Sequence, residues 1–468
     1  MGKFSTYRYL ELKDETAAPP PQTSSRRVIT QPRRLKKVFF LLLVVVLVVT
    51  YLTGLFAGQS QWLDGIAKTL GYQSVHHYAV IIDAGSSGSR VLAYRFRVPF
   101  TVFGDKDIDL AEEYFEQLKP GLSSFADEPA KGAATIVKLI ESAQFLIPEE
   151  KRRDTPLLVR ATAGLRLLPK EKAQQLLDEV RDAICRLGFD KVNNDSVQIM
   201  DGSDEGIFIW YTLNLLHDSM GGSTMAALDL GGGSTQITYA LPEHERARYP
   251  ARDQHAVAAG SANISLYTHS YLNLGLLAAR YGIFRLEHSS RGGADNTTEF
   301  TSVCVDPIVQ KEKWTYANKQ YFVSGASRQG LKRDAVYNRC HALVSRYVKN
   351  TLDWEPTQPP RGSIAAMSYF YDVAADIGMI DVMKGGTVSV SQYRSHAARA
   401  CSGSNVEQPW ACIDLVYVVT LLQDAYKIGD NEPISLFKKV NGHEVSWALG
   451  LAYTTVMNRM AAAAAAEH

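Results

Sequence analysis

The sequence predicts an α/β protein made of two related lobes facing a cleft, preceded by one N-terminal transmembrane helix. Three observations predict it. An uncharged apolar run of twenty residues, Val38–Ala57, stands near the N-terminus. A strand, glycine-loop, strand unit occurs twice, at 78–94 and again at 225–239. The composition is that of an ordinary folded chain, 46% hydrophobic and 21% charged over 468 residues, with room for two to three domains at ~150 residues each. Fifty basic against forty-nine acidic residues leave a net charge of +1, which offers nucleic acid no global attraction. Five cysteines without a CxxC pair exclude a dense disulfide scaffold and give no zinc spacing.

Along the chain the apolar run comes first. At 1.5 Å per residue, twenty residues span roughly 30 Å, the thickness of a bilayer's hydrocarbon core. A cleaved signal peptide has a short basic start and an apolar core of about 7–15 residues. Here a polar leader of 37 residues precedes a longer run, which favours an uncleaved anchor. Arg26, Arg27, Arg33, Arg34, Lys36 and Lys37 crowd its N-terminal flank, and the first charge beyond it is Asp64. The positive-inside rule leaves residues 1–37 in the cytosol as a disordered basic tail. It sends a stem at 58–74 and the rest across the membrane, a single-pass type II arrangement. Sequons at Asn194, Asn263 and Asn296, and all five cysteines, lie beyond the anchor, where glycosylation and disulfides are possible. Cys185 lies beside a helical stripe of Ala173, Leu176, Leu177, Val180, Ile184 and Leu187 and is expected to be packed and unbonded.

The repeated unit follows. YAVII leads into Asp83-Ala-Gly-Ser-Ser-Gly-Ser89 and then VLAY; MAAL leads into Asp229-Leu-Gly-Gly-Gly-Ser-Thr235 and then QITY. Apolar entries, glycine turns and β-favouring exits predict hairpins. Glycines let several backbone N–H groups converge on one point, an anion nest, and the hydroxyls add donors without bulk. An aspartate repels phosphate, so the leading Asp83 and Asp229 suit a divalent cation, held through its water shell if it is Mg²⁺. Two matching hairpins point to two lobes that grip a phosphate chain from either side. No G-x-x-x-x-G-K-[ST] occurs, which excludes a P-loop.

Between and beyond the loops, three further segments complete a pattern: RATAGLRLL at 160–168, DGSDEGIFIW at 201–210 and SWALG at 446–450. With IIDAGSSGSRV and ALDLGGGSTQI they resemble, in order, the nucleoside triphosphate diphosphohydrolase (apyrase) family of the actin/sugar-kinase/heat-shock-chaperone superfamily. The similarity is greatest to its singly anchored or secreted endomembrane nucleoside diphosphatase branch. The resemblance implies a nucleotide cleft between actin-like lobes, Ca²⁺ or Mg²⁺ as cofactor, and hydrolysis of the terminal phosphate. It makes Glu205 the general base and has Ser234 and Gln236 position the attacking water. It assigns phosphate oxygens to Ser86, Ser87, Gly88, Ser89, Gly231, Gly232 and Gly233. It adds Thr162 and Trp447 to Asp83 and Asp229 around the cation's water, and sets Tyr371 against the nucleobase. It also pairs Cys304 with Cys340 and Cys401 with Cys412, leaving Cys185 free.

The residues alone read 203–214 as a helix capped by Ser203, with Asp204 and Glu205 favouring its positive end. They leave open whether Arg160 and Arg166 reach phosphate or pair with carboxylates. The implied substrates are UDP and GDP in the lumen of the endoplasmic reticulum or Golgi, with secretion after cleavage as a variant. The alternatives are a broad ATP/ADP apyrase and a nucleotide-switched binding protein. The expected division gives lobe one 75–202 plus 434–460, lobe two 203–433, and a low-complexity tail at 461–468.

Overall fold

The computed structural model describes residues 33–52, 75–99, 108–190, 192–259, 262–330, 332–356 and 358–466. The leader before residue 33, the end of the apolar run at 53–57 and the stem at 58–74 lie outside the described residues. The chain divides into two units, Met1–Leu63 and Asp64–His468. In the first, helix α1 (Arg33–Leu52) carries exposed apolar side chains from Phe39 to Val48. Among the described residues no helix is long and apolar enough to cross a membrane.

The second unit contains the repeated architecture. Strands β1 (His76–Ala84), β2 (Ser89–Arg97), β3 (Asp109–Leu118), β4 (Leu157–Ala161) and β5 (Val197–Ile199) form a sheet in the order β3-β2-β1-β4-β5. The first three are antiparallel neighbours, and β4 and β5 run parallel to β1. The run YAVII is apolar at every position because β1 is buried on both faces. Val80 and Ile82 meet helices α2 (Pro129–Ala143) and α3 (Lys170–Ile184), whereas Ala79 and Ile81 face inward. Cys185 is free, but it is exposed rather than packed. It lies one residue past Ile184, the last buried position of α3, where the helix has already turned away from the core.

Helix α4 (Gly202–Leu216) links this sheet to the second. Its cap is Asp201, whose carboxylate accepts from Ser203 N at 2.8 Å, and not Ser203 as the sequence suggests. A carboxylate cap also suits the positive helix end better than a hydroxyl.

The second sheet contains β6 (Ala226–Leu230), β7 (Ser234–Ala240), β8 (Gln254–Ala259), β9 (Ala262–Leu272), β13 (Ile364–Ser368), β14 (Gly386–Val388) and β15 (Ile434–Leu436). Its order is β14-β15-β13-β6-β7-β9-β8. The stretch β9-β7-β6-β13-β15 repeats the directions and order of the first sheet, so the sequence repeat is a repeat of topology. Because β15 pairs with β13, the second sheet extends past residue 433. A small sheet of β10 (Glu299–Ser302), β11 (Glu312–Tyr316) and β12 (Lys319–Gly325) is an addition to this repeat.

Helices α5 (Leu276–Ser290), α6 (Arg333–Thr351), α7 (Tyr369–Asp376), α8 (Val390–Ser402) and α9 (Ala411–Thr420) supply the rest of the second lobe. Cys304 is bonded to Cys340 of α6, and Cys401 to Cys412, tying the end of α8 to the start of α9.

Helix α10 (Trp447–Ala466) packs with α4 between the two sheets. Trp210, Leu213, Leu449 and Ala452 there join Ile81 and Tyr94 of the first sheet to Ala227 and Met367 of the second. Each large side chain so buried stabilises the join by about 1.5–3 kcal/mol. A Cβ on Gly450 would stand 2.4 Å from Phe208 O, so the approach of α10 to α4 admits only glycine. The alanine run expected as a tail continues α10 to Ala466, alanine being the strongest helix former.

Candidate active site

Both glycine loops are tips of antiparallel hairpins, β1–β2 and β6–β7. Their registers correspond: Asp83 lies opposite Arg90, and Asp229 lies opposite Gln236. The tips touch across the gap between the lobes, since a Cβ on Gly232 would stand 2.6 Å from Ser86 Oγ. The carbonyls of Gly231 and Gly232 accept from the N–H groups of Leu276, Leu277 and Ala278, which fastens the second loop onto the start of α5. Beside the loops opens a cleft of about 310 Å³.

The structure brings Asp83, Ser86, Ser87, Thr162, Glu205, Asp229, Gly231, Gly232, Tyr371 and Trp447 to the lining of this cleft. Gly88, Ser89, Gly233, Ser234 and Gln236 do not line it. Ser89 is fully covered inside its hairpin, and Ser234 and Gln236 stand behind Glu205. The three sequon asparagines, Asn194, Asn263 and Asn296, are all exposed and away from the cleft.

Glu205 is 7% exposed and sits in the first turn of α4. Its Oε2 accepts from Arg166 Nη2 at 2.5 Å and from Gln236 Nε2 at 3.2 Å. Gln236 Nε2 also lies 2.9 Å from Ser234 Oγ and 2.9 Å from Ser270 Oγ. Burial pushes the Glu205 carboxyl up to about 7; Arg166 pulls against it, and the charges of Asp229 and Asp83 add to it. A carboxylate poised near neutrality can accept a proton from water and release it again.

Asp83 and Asp229 are buried, and burial raises the proton affinity of both. Arg90 Nη1 donates to Asp83 Oδ2 at 2.8 Å, and a hydrogen bond from Ser368 favours the ionised Asp229. The Oδ1 atom of each aspartate, and Gln236 Oε1, are buried without a donor. Buried ionised oxygens without donors are costly unless a cation or its water shell satisfies them. An all-oxygen set suits a hard divalent cation, so these residues fit Ca²⁺ or Mg²⁺.

Sequence reasoning missed several residues of the cleft. Arg90 becomes visible only once the hairpin register places it across from Asp83. Lys119 of the first lobe, and Phe437, Lys438 and Glu444 at the aromatic end, carry no sequence signal, whereas Tyr369 and Asp372 lie in the segment Ser368–Asp372 that resembles the family's base-stacking segment. Ser368, at φ 56°, turns the chain abruptly from β13 into α7 and so brings Tyr369 and Tyr371 to the cleft. Left-handed backbone of this kind in a non-glycine residue recurs at functional sites. Tyr371 is 4% exposed, and its hydroxyl donates to Val382 O at 2.6 Å, which fixes the ring. Arg166 pairs with Glu205, whereas Arg160 donates to the carbonyls of Val159 and Ser196 and stays out of the cleft.

A family model described as GDA1/CD39 (nucleoside phosphatase) matches residues 70–465. The chain belongs to the GDA1/CD39 (nucleoside phosphatase) family. It is therefore a phosphohydrolase. It is 38% identical over 416 residues to the nucleoside diphosphate phosphatase ENTPD5 of Homo sapiens, covering 86% of this chain and 91% of that one. It is 33% identical over 416 residues to the nucleoside-diphosphatase uda-1 of Caenorhabditis elegans, covering 84% and 85%. In fold it is similar to the nucleoside triphosphate hydrolases from Neospora caninum, with a TM-score of 0.56 and 15% identity over 86% of this chain and 96% of that one. That likeness bears on the fold alone.

Proposed function

We propose that the protein hydrolyses nucleoside diphosphates, UDP and GDP foremost, to the monophosphate and inorganic phosphate. The observation that carries this reading is Glu205, buried between two aspartate-headed loops with a carboxyl pushed up to about 7. The two relatives named above as diphosphatases match it along most of their length.

In this reading the water's oxygen attacks the terminal phosphorus while the bond from that phosphorus to the bridging oxygen breaks. Glu205 takes the proton, and Ser234 and Gln236 hold the water through the hydrogen-bond chain that ends on Glu205 Oε2. Arg166 keeps Glu205 in place and favours its ionised form. Ser86 and Ser87 and the backbone of Gly231 and Gly232, which line the cleft, receive the phosphate oxygens, while Gly88, Ser89 and Gly233 shape the loops behind them. Asp83 and Asp229, with Thr162 and Trp447, would hold hydrated Ca²⁺ or Mg²⁺. That ion, when bound, neutralises charge on the phosphate chain. Tyr371 carries the base.

The run Val38–Ala57 with its basic flank is read as a signal anchor that places the enzyme in the lumen of the endoplasmic reticulum or Golgi. There it would remove diphosphates left by glycosyl transfer. Carbohydrate on Asn194, Asn263 or Asn296 would accord with that address.

The test is phosphate release from UDP, GDP, ADP, CDP and ATP with Ca²⁺ or Mg²⁺. Rapid turnover of UDP and GDP with poor turnover of ATP is expected. Equal rates on ATP and ADP would instead mark a broad apyrase.

A further inference from the structure

Gln236 has more neighbours than its amide can serve. Its Nε2 lies 2.9 Å from Ser234 Oγ, 2.9 Å from Ser270 Oγ and 3.2 Å from Glu205 Oε2. An amide nitrogen has two hydrogens and can only donate, so three acceptors compete for two N–H groups. Arg166 Nη2 reaches both Glu205 Oε2 and Ser234 Oγ, which places those two acceptors side by side. One N–H therefore points between them, and the other goes to Ser270. On the far side of the amide, Gln236 Oε1 is buried without a donor among the described residues. The contacts of the nitrogen alone decide which way the amide faces.

Register brings Ser270 to this place. It lies directly opposite Gln236 where β9 pairs with β7. The first turn of α4, which carries Glu205, lies over this pair. A Cβ on Gly202 would stand 2.2 Å from Ser270 Oγ and 2.5 Å from Arg166 Nη1, so glycine there leaves room for both. Gln236 is fully buried, whereas Ser270 is half-buried and is not part of the cleft lining.

We propose that Ser270 is a positioning residue for the hydrolysis. By accepting one N–H of Gln236 it holds the other N–H on the Ser234–Glu205 pair. The inference rests on the diphosphatase reading, in which Ser234, Gln236 and Glu205 handle the attacking water. Ser270 touches neither that water nor the nucleotide and acts through Gln236. Without its oxygen one N–H is left buried with no acceptor, and the amide turns toward Ser234 and Glu205 to satisfy it. The water then loses its fixed place, and misplacing a reacting group slows the chemical step. Nucleotide affinity is set elsewhere in the cleft and is unaffected.

The test is kcat and KM for GDP hydrolysis by the full-length protein, by Ser270→Ala, by Gln236→Ala and by the double variant. Single turnovers at enzyme excess keep the slow variants measurable. Thr268→Val is the control: it removes a neighbouring buried hydroxyl that bonds Thr238 Oγ1 at 2.7 Å rather than Gln236. Ser270→Ala is expected to lower kcat by about 10-fold, the strength of one hydrogen bond, with KM within about 2-fold of wild type. In the Gln236→Ala background the same change should alter kcat by less than about 2-fold, because the group it acts through is gone. Three results would overturn the inference: a Ser270→Ala kcat close to wild type, an equal loss in both backgrounds, or an equal loss in Thr268→Val. Each leaves diphosphate hydrolysis standing. No phosphate release by the wild type from GDP, UDP or ADP would instead remove the diphosphatase reading, and this inference with it.

Discussion

Glu205 owes its usefulness to being buried beside Arg166 rather than to its helix position. Desolvation raises its carboxyl to about 7, and the guanidinium stops it rising further. The sign is direct: below that value the group is protonated and cannot accept a proton from water. Turnover measured from pH 5 to 9 should therefore climb with pH, about tenfold per unit on the acid side, and flatten above neutrality. A rate independent of pH across 6–8 would contradict the role. Several residue roles, that of Glu205 among them, rest on the family resemblance, since a glutamate in a helix's first turn is ordinarily just a favourable charge. Asp201 as the cap was not legible, because Ser203 two positions on is an equally good capping residue by type. Arg90 was hidden because its meaning depends on register.

At the scale of elements, the hairpins were readable because glycine clusters separate apolar runs that can only be strands buried on both faces, as Val80, Ile81 and Ile82 show. The three-residue strand β15 was too short to leave a pattern, so the expected edge of the second lobe at 433 falls one residue before a strand of its sheet. The alanine run, expected only as a low-complexity tail, extends a helix already anchored by Trp447, Leu449 and Ala452, as alanine's propensity favours. Two predictions belong here. Gly450→Ala forces a methyl against Phe208 O and should destabilise the protein by about 1–3 kcal/mol in urea unfolding. Replacing Cys401 and Cys412 together by alanine opens a loop of 11 residues and should cost about 3 kcal/mol by chain entropy.

Over the whole molecule, two copies of one topology bring two acidic hairpin tips against each other, and that juxtaposition sets the electrostatics of the cleft. Burial raises the proton affinities of Asp83 and Asp229, so their ionisation opposes folding as pH rises through the folded pKa of each. A divalent cation that binds only the folded state offsets that cost. At pH 8, Ca²⁺ or Mg²⁺ at about 100 times its dissociation constant should stabilise the protein by about 2.7 kcal/mol. Thermal denaturation with and without EDTA checks this. The gain should shrink in Asp83→Asn and Asp229→Asn, and an unchanged midpoint in the wild type would argue against a cation between the loops.

The central claim is that Glu205 deprotonates the water that attacks a phosphate gripped by both lobes. Single-turnover phosphate release from saturating GDP by Glu205→Gln tests it most directly, with nucleotide binding measured on the same sample. The account predicts a rate at least ~10²-fold below wild type with GDP still bound. Release at close to the wild-type rate would contradict it.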